Sequence, residues 1–252
     1  LNDVINSINN GRSWLNYRGE GWSYGWWSTC TPLQTGNLTS INNGQKFTFI
    51  TSIGCGVAMF NDGTTNCFGE TWLEMGTLSV PKGAAAFVGP TSNTHTAYNN
   101  NIDRGIYKGM FQEGLETPGQ ALLRGKLYMY NVFGGSDNWV EYHYRVYTVL
   151  GDPSIHIWKD VPKAINVNYI AAIPFGSNLV EFTVTHTSTG LPVANAVVCV
   201  TGSEVFATAV TDATGKAYVE ITSEVLESLK VTVRGGNVIP FIGTLEMLQP
   251  TG

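Results

Sequence analysis

Two glycine-flanked segments hold the residues best suited to chemistry. Gly54-Cys55-Gly56 follows the apolar stretch 46–53, and Gly19-Glu20-Gly21 follows the stretch 12–18. A cysteine attacks as its thiolate. Glycines on both sides permit a tight turn and close backbone approach by a ligand. The backbone N–H groups of Cys55 and Gly56 could stabilise an oxyanion. This layout fits acyl transfer through a cysteine nucleophile. A small buried cysteine is the commoner role of the residue type, so the local sequence by itself leaves both roles open.

In an open α/β sheet, reactive groups gather just past the carboxyl ends of the strands, and both segments fit that rule. Strands are predicted at 12–18, 46–53 and 84–88, the last an uninterrupted apolar run expected of a strand buried on both faces. Helices are predicted at 67–75, 103–111, 117–130 and 137–150, with Thr117-Pro118 as a natural helix start. Strands alternating with helices predict an α/β fold with a mainly parallel sheet and helices on both faces.

Composition changes after residue 160. Val180, Phe182 and Val184 alternate with Glu181, Thr183 and Thr185, a period of two. Further strands are predicted at 193–200, 206–210, 217–221 and 229–233, with turns at Ser188-Thr189-Gly190 and Asp212-Ala213-Thr214-Gly215. The expected division is therefore 1–160 and 164–252, the second part a small all-β sandwich.

The whole chain has 252 residues, 14 Lys plus Arg and 19 Asp plus Glu, for a net charge of −5. This argues against nucleic acid as a partner, which requires a basic stripe, and against a polybasic membrane-surface protein. A hydrophobic fraction of 43% with 12% aromatics excludes a disordered acidic segment. No apolar run is long enough to span a bilayer. The four cysteines (Cys30, Cys55, Cys67 and Cys199) include no C-x-x-C pair, so no zinc site or other cofactor is expected. A structural calcium ion held by loop carboxylates is left open; Asp103, Glu113 and Glu116 read as solvated helix residues. Low Lys with abundant Asn, Thr, Gly and Trp points to an extracytoplasmic protein. Residues 1–8 read as the middle of a helix without an initiating Met, so upstream residues are expected to have been removed.

Four stretches carry a family resemblance. They are Ile8-Asn9-Asn10-Gly11-Arg12 through Gly21, Ser52-Ile53-Gly54-Cys55-Gly56 through Phe60, Cys67-Phe68-Gly69-Glu70, and Tyr147-Thr148-Val149-Leu150-Gly151-Asp152-Pro153-Ser154. In this order they resemble the carboxyl half of the gingipain-like cysteine peptidases, and the tail resembles the immunoglobulin-like domain that follows it. The resemblance implies a caspase-like fold, a secreted or bacterial cell-surface location, a protein or peptide substrate, Cys55 as nucleophile, and an upstream subdomain that would complete the sheet. The family's base, a His between two glycines, falls on Glu20. An imidazole there would take the thiol proton and stabilise the thiolate. A carboxylate opposes a neighbouring thiolate by like-charge repulsion. Loss of the base in a Ser or Cys triad removes several orders of magnitude in rate, so an impaired or inactive peptidase is expected. His95 is the residue that could supply an imidazole from a loop. His143 and His156 are read as structural residues of a helix and a strand, and His186 as part of the sandwich. Trp22, Tyr24, Trp26 and Trp27 crowd the loop after Glu20, where they would line a substrate cleft or a protein- or glycan-binding face of a catalytically dead module. Asn37-Leu38-Thr39 is a glycosylation sequon.

Overall fold

The computed structural model describes residues 1–27, 32–61, 63 and 65–249. The chain divides into two compact units, residues 1–157 and 158–252.

The first unit is an α/β layer structure. Helix α1 (Asn2–Asn9) precedes strand β1 (Trp14–Arg18), the hairpin β2 (Glu20–Trp22) and β3 (Gly25–Trp27), and a 3₁₀ segment, Thr35–Ser40. Strand β4 (Thr48–Ile53), helix α2 (Phe68–Glu74) and strand β5 (Ala84–Pro90) follow. Helices α3 (Thr96–Gln112), α4 (Pro118–Phe133) and α5 (Asn138–Val146) lead into strand β6 (Tyr147–Gly151). The sheet order is β1-β4-β5-β6, with β6 antiparallel to β5 and the other pairs parallel. No strand among the described residues pairs with the outer edge of β1. Every residue of β4 is buried, as its central place requires.

One face of the sheet carries Phe49, Ile53, Ala86 and Val88 against Ile102, Ile106 and Met110 of α3, Ala121, Leu122 and Met129 of α4 and Val140 of α5. The other carries Ile50 and Phe87 against Ile5 and Ile8 of α1 and Phe68 and Trp72 of α2. Helices cover both faces, as expected from the alternation.

Two elements differ from the sequence reading. The helix expected at 137–150 ends at Val146, and Tyr147-Thr148-Val149-Leu150 is a strand. Burial against β5 claims these mostly β-branched and aromatic residues for the sheet. Helix α3 begins at Thr96 rather than 103, because Tyr98, Asn99 and Ile102 pack inward although Asn99-Asn100-Asn101 is a poor helix former.

The second unit holds two sheets. Strands β7 (Ile165–Asn168), β8 (Ala172–Pro174), β9 (Gly176–His186), β10 (Val197–Thr201), β11 (Phe206–Val210), β12 (Lys216–Ser223), β13 (Ser228–Arg234) and β14 (Phe241–Leu248) form sheets ordered β11-β10-β13-β14-β8 and β12-β9-β7. All pairs are antiparallel except β8 with β14. Val180, Phe182, Val184, Val198, Val200, Val219, Ile221, Val231 and Val233 fill the core between them. The strand expected from 193 starts at Val197 because Asn195 sits at φ 60, outside the β region. Asp212 Oδ1 accepts from Thr214 N and Oγ1, closing the expected turn before Gly215. Among the described residues no helix is long and apolar enough to cross a membrane.

Candidate active site

Cys55 follows directly from the carboxyl end of β4, and Glu20 opens β2 just past β1. The parallel β1–β4 register pairs Arg18 with Ile53, and Gly19 N–H donates to Ile53 O at 3.2 Å. The two glycine-flanked segments therefore lie side by side. A Cβ on Gly54 would come within 2.7 Å of Gly19 O, and one on Gly21 within 3.1 Å of Cys55 O. Any larger residue at Gly54 would drive the two turns apart. Gly56 sits at φ +64, a left-handed conformation that glycine adopts at no steric cost.

The hairpin that presents Glu20 is fastened twice. The Tyr17 hydroxyl donates to Glu20 O at 2.8 Å and lies 3.1 Å from Trp27 O. Trp26 stacks on Tyr17 with ring centroids 4.3 Å apart and donates its Nε1–H to Ser52 Oγ at 2.7 Å. Trp26 is only 5% exposed, so it belongs to the core and not, as expected, to the cleft. Trp22, Tyr24 and Trp27 remain exposed. Burial, and then the Glu20 charge, push the Tyr17 phenol up. Beside the elbow lies a cavity of about 510 Å³ lined by Ser23, Tyr24, Met59, Cys67 and Thr71. Burial pushes the Cys67 thiol up to about 11, which suits an inert residue.

The Cys55 thiol is half-buried and meets the loop before α3. Thr94 N–H donates to its Sγ at 3.4 Å, and Sγ lies 3.5 Å from Thr94 O. Behind Thr94 runs a chain of polar side chains: Asn99 Nδ2 donates to Thr94 Oγ1 at 2.9 Å, and the buried Tyr147 hydroxyl donates to Asn99 Oδ1 at 2.7 Å. Burial holds the Tyr147 phenol well above its ordinary range. No spacing in the sequence signals this line of contacts, because its members come from α3 and from β6, a strand whose residues continue the pattern of a helix. Gly56 N–H donates to Ser92 O at 3.1 Å, so it is not the oxyanion donor expected of it. Among the described residues no backbone hydrogen bond engages the Cys55 N–H.

No hydrogen bond among the described residues joins any His to Cys55. The His95 ring packs edge-on against Trp139 at 4.1 Å, and its backbone N–H donates to His143 Nε2 at 3.0 Å. His143 is fully buried, with Nδ1 2.6 Å from Trp139 O. Burial, and secondarily the nearby His95, hold its imidazole below the usual range. His156 lies in irregular chain, not in a strand. Asp103, expected to be solvated, is half-buried, and burial raises its carboxyl, against the pull of Asn16 and Arg18. Glu113 pairs with Arg124 and Lys108. Cys30 lies outside the described residues. Among the described residues no three His, Cys, Asp or Glu side chains gather to hold a metal ion.

The other two stretches singled out in the sequence support the sheet. Glu70 accepts from Cys67 N–H at 2.8 Å, which caps α2. A Cβ on Gly69 would lie 2.7 Å from Leu150 and 2.9 Å from Phe87. Asp152 Oδ1 accepts from Ser154 N and Oγ, and Pro153 O accepts from Gly119 N in the first turn of α4.

A mainly parallel sheet covered on both faces, with a cysteine elbow packed against a glycine-flanked turn, resembles the gingipain/caspase-like α/β fold. Residues 2–158 match peptidase family C25, and the chain belongs to that family. It is similar to Lys-gingipain W83 of Porphyromonas gingivalis, at 24% identity over 97% of this chain and 15% of that protein. Lys-gingipain HG66 of the same organism is 23% identical over the same shares. The crystal structure of the Arg-specific cysteine proteinase gingipain R superimposes with a TM-score of 0.84 at 21% identity, over 98% of this chain and 56% of that one. A structure described as a protease gives 0.77 at 23% identity, over 96% and 56%. The chain thus spans a small part of the curated relatives' length and somewhat over half of the solved chains.

Proposed function

We propose that this chain is the carboxyl-terminal part of a secreted or cell-surface gingipain-like cysteine endopeptidase, with Cys55 as nucleophile and Glu20 in the position of the base. The second unit is read as the accompanying immunoglobulin-like domain, and the open edge of β1 as the place where an upstream strand completes the sheet. The observation that carries this reading is the contact of the Glu20 turn with the Cys55 elbow, within 2.7 Å of a Cβ built on Gly54. Chemically, the thiolate would attack the scissile carbonyl and expel the amine. Thr94 N–H supports the sulfur's negative charge, and Cys55 N–H would face the developing oxyanion. What is missing is a group that takes the thiol proton and returns it to the leaving amine. Glu20 places a carboxyl group where the family has an imidazole, so turnover is proposed to be impaired.

The test is the hydrolysis of a fluorogenic peptide library by the full-length protein and by Glu20→His. A gain of about 10²-fold or more in Glu20→His supports a peptidase scaffold with a replaced base. Equal, negligible rates in both, with Cys55 alkylating no faster than a free peptide thiol, would sink it. A second reading, a binding module of the same fold, rests on the exposed Trp22, Tyr24 and Trp27. It requires glycan or protein affinity that survives Cys55→Ala and is lost in Trp22→Ala/Trp27→Ala.

A further inference from the structure

Arg18 ends β1 one residue before the Gly19-Glu20-Gly21 turn, opposite Ile53 and two residues short of Cys55 in the register of β4. Its guanidinium reaches the segment that Cys55 also touches: Arg18 Nη2 lies 3.4 Å from Thr96 O, and Cys55 Sγ contacts Thr94. The side chain is solvent-exposed and forms no ion pair among the described residues. One long hydrogen bond leaves most of its five donors free. Two carboxylates stand nearby. Asp103 bears on Arg18 from α3 but is half-buried and outside ion-pair distance. Glu20 bears on Tyr17, whose ring lies on the opposite face of β1 with Trp26 and Leu15.

We infer that Arg18 is a specificity-determining residue, which seats an acidic side chain of a peptide substrate beside Cys55. The inference rests on the peptidase reading above and adds the substrate class. A guanidinium takes a carboxylate in two parallel charge-assisted hydrogen bonds. A basic side chain delivered to the same place would meet like charge instead.

The experiment measures binding of fluorescein-labelled Ala-Ala-Glu-Ala-Ala and its Gln counterpart to the full-length protein in a Cys55→Ala background, with and without Arg18→Gln. A Glu-over-Gln preference of about tenfold, abolished by Arg18→Gln, is expected. No preference, or a preference that survives Arg18→Gln, overturns the inference. Alkylation of Cys55 in the otherwise unaltered protein, followed by peptide mapping, reads the underlying peptidase assignment separately. A reactive Cys55 with no Glu preference fells only the role of Arg18. An inert Cys55 with an Arg18-dependent Glu preference fells only the nucleophile.

Discussion

The two units bury polar groups in different ways. In the β unit the core is Val, Ile, Leu and Phe. Its buried Thr211 is satisfied locally, donating to Val193 O and accepting from Ala196 N. In the α/β unit Asn99, Thr51, Ser52 and His143 are all buried. Asn99 and Tyr147 form a line from the interior to Thr94 and so to Cys55. Tyr107 and Asn16 flank the same sheet face through Thr51 Oγ1. The difference teaches that buried polarity in the first unit serves to hold a loop against a sulfur, whereas in the second it closes a turn.

The largest effect that can test this contrast is a cavity in the apolar core. Phe182→Ala, at a fully buried position of β9, is expected to cost the β unit about 3–5 kcal/mol. Differential scanning calorimetry should show its transition falling while the alkylation rate of Cys55 stays put. A parallel loss of Cys55 reactivity would erase the distinction between the units.

A smaller but more selective effect follows from deleting one polar link in each unit. Asn99→Ala strands the Tyr147 hydroxyl and leaves Thr94 Oγ1 with Cys55 Sγ alone, and Thr211→Val strands the Ala196 N–H and Val193 O. Each is expected to cost about 1–3 kcal/mol. Only Asn99→Ala should also change the pH profile of Cys55 alkylation, because only that link leads to Thr94. If Thr211→Val changes it equally, the polar line has no special bearing on the thiol.

The smallest effect is a difference in acid sensitivity. His143 is held below its ordinary 6.5 by burial, so the unfolded chain binds the proton first. Its contribution is complete above about pH 6.5 and is lost as pH falls through the depressed folded value. In the β unit Glu181 is held below 4.5 by Lys216 and Tyr218, so its contribution is intact above that value and declines only at lower pH. Asp103 acts in the opposite sense, since its raised carboxyl relieves a penalty on protonation. Between pH 6.5 and about 5, tryptophan fluorescence, with six of the seven Trp in the first unit, should report melting at progressively lower temperature. Far-UV signal from the β unit should not move in that window. A flat profile that His143→Phe leaves unchanged would refute the assignment.

The strand–helix alternation, the elbow at Cys55, the turn at Glu20 and the period of two after residue 180 were all legible, because each is encoded locally by spacing and by glycine. Strand β6 was not, since Tyr147 to Leu150 continues the apolar pattern of α5 without a breaker, and only pairing with β5 decides it. Trp26 reads as a cleft residue in the sequence because spacing cannot say which of several adjacent aromatics turns inward; its burial and its hydrogen bond to Ser52 place it in the core. The Asn99–Tyr147 line and the placement of Arg18 beside the elbow depend on contacts between distant segments, which no spacing rule reveals.

The fastened hairpin has an evolutionary consequence. Tyr17 and Trp26 hold the backbone of Glu20 through groups that do not involve its side chain. The exposed side chain can therefore change without moving the turn. Codons for Gln stand between those for Glu and His, and an uncharged Gln would fit the same surface position. On this scaffold the chemistry at position 20 can be exchanged while the turn keeps its place.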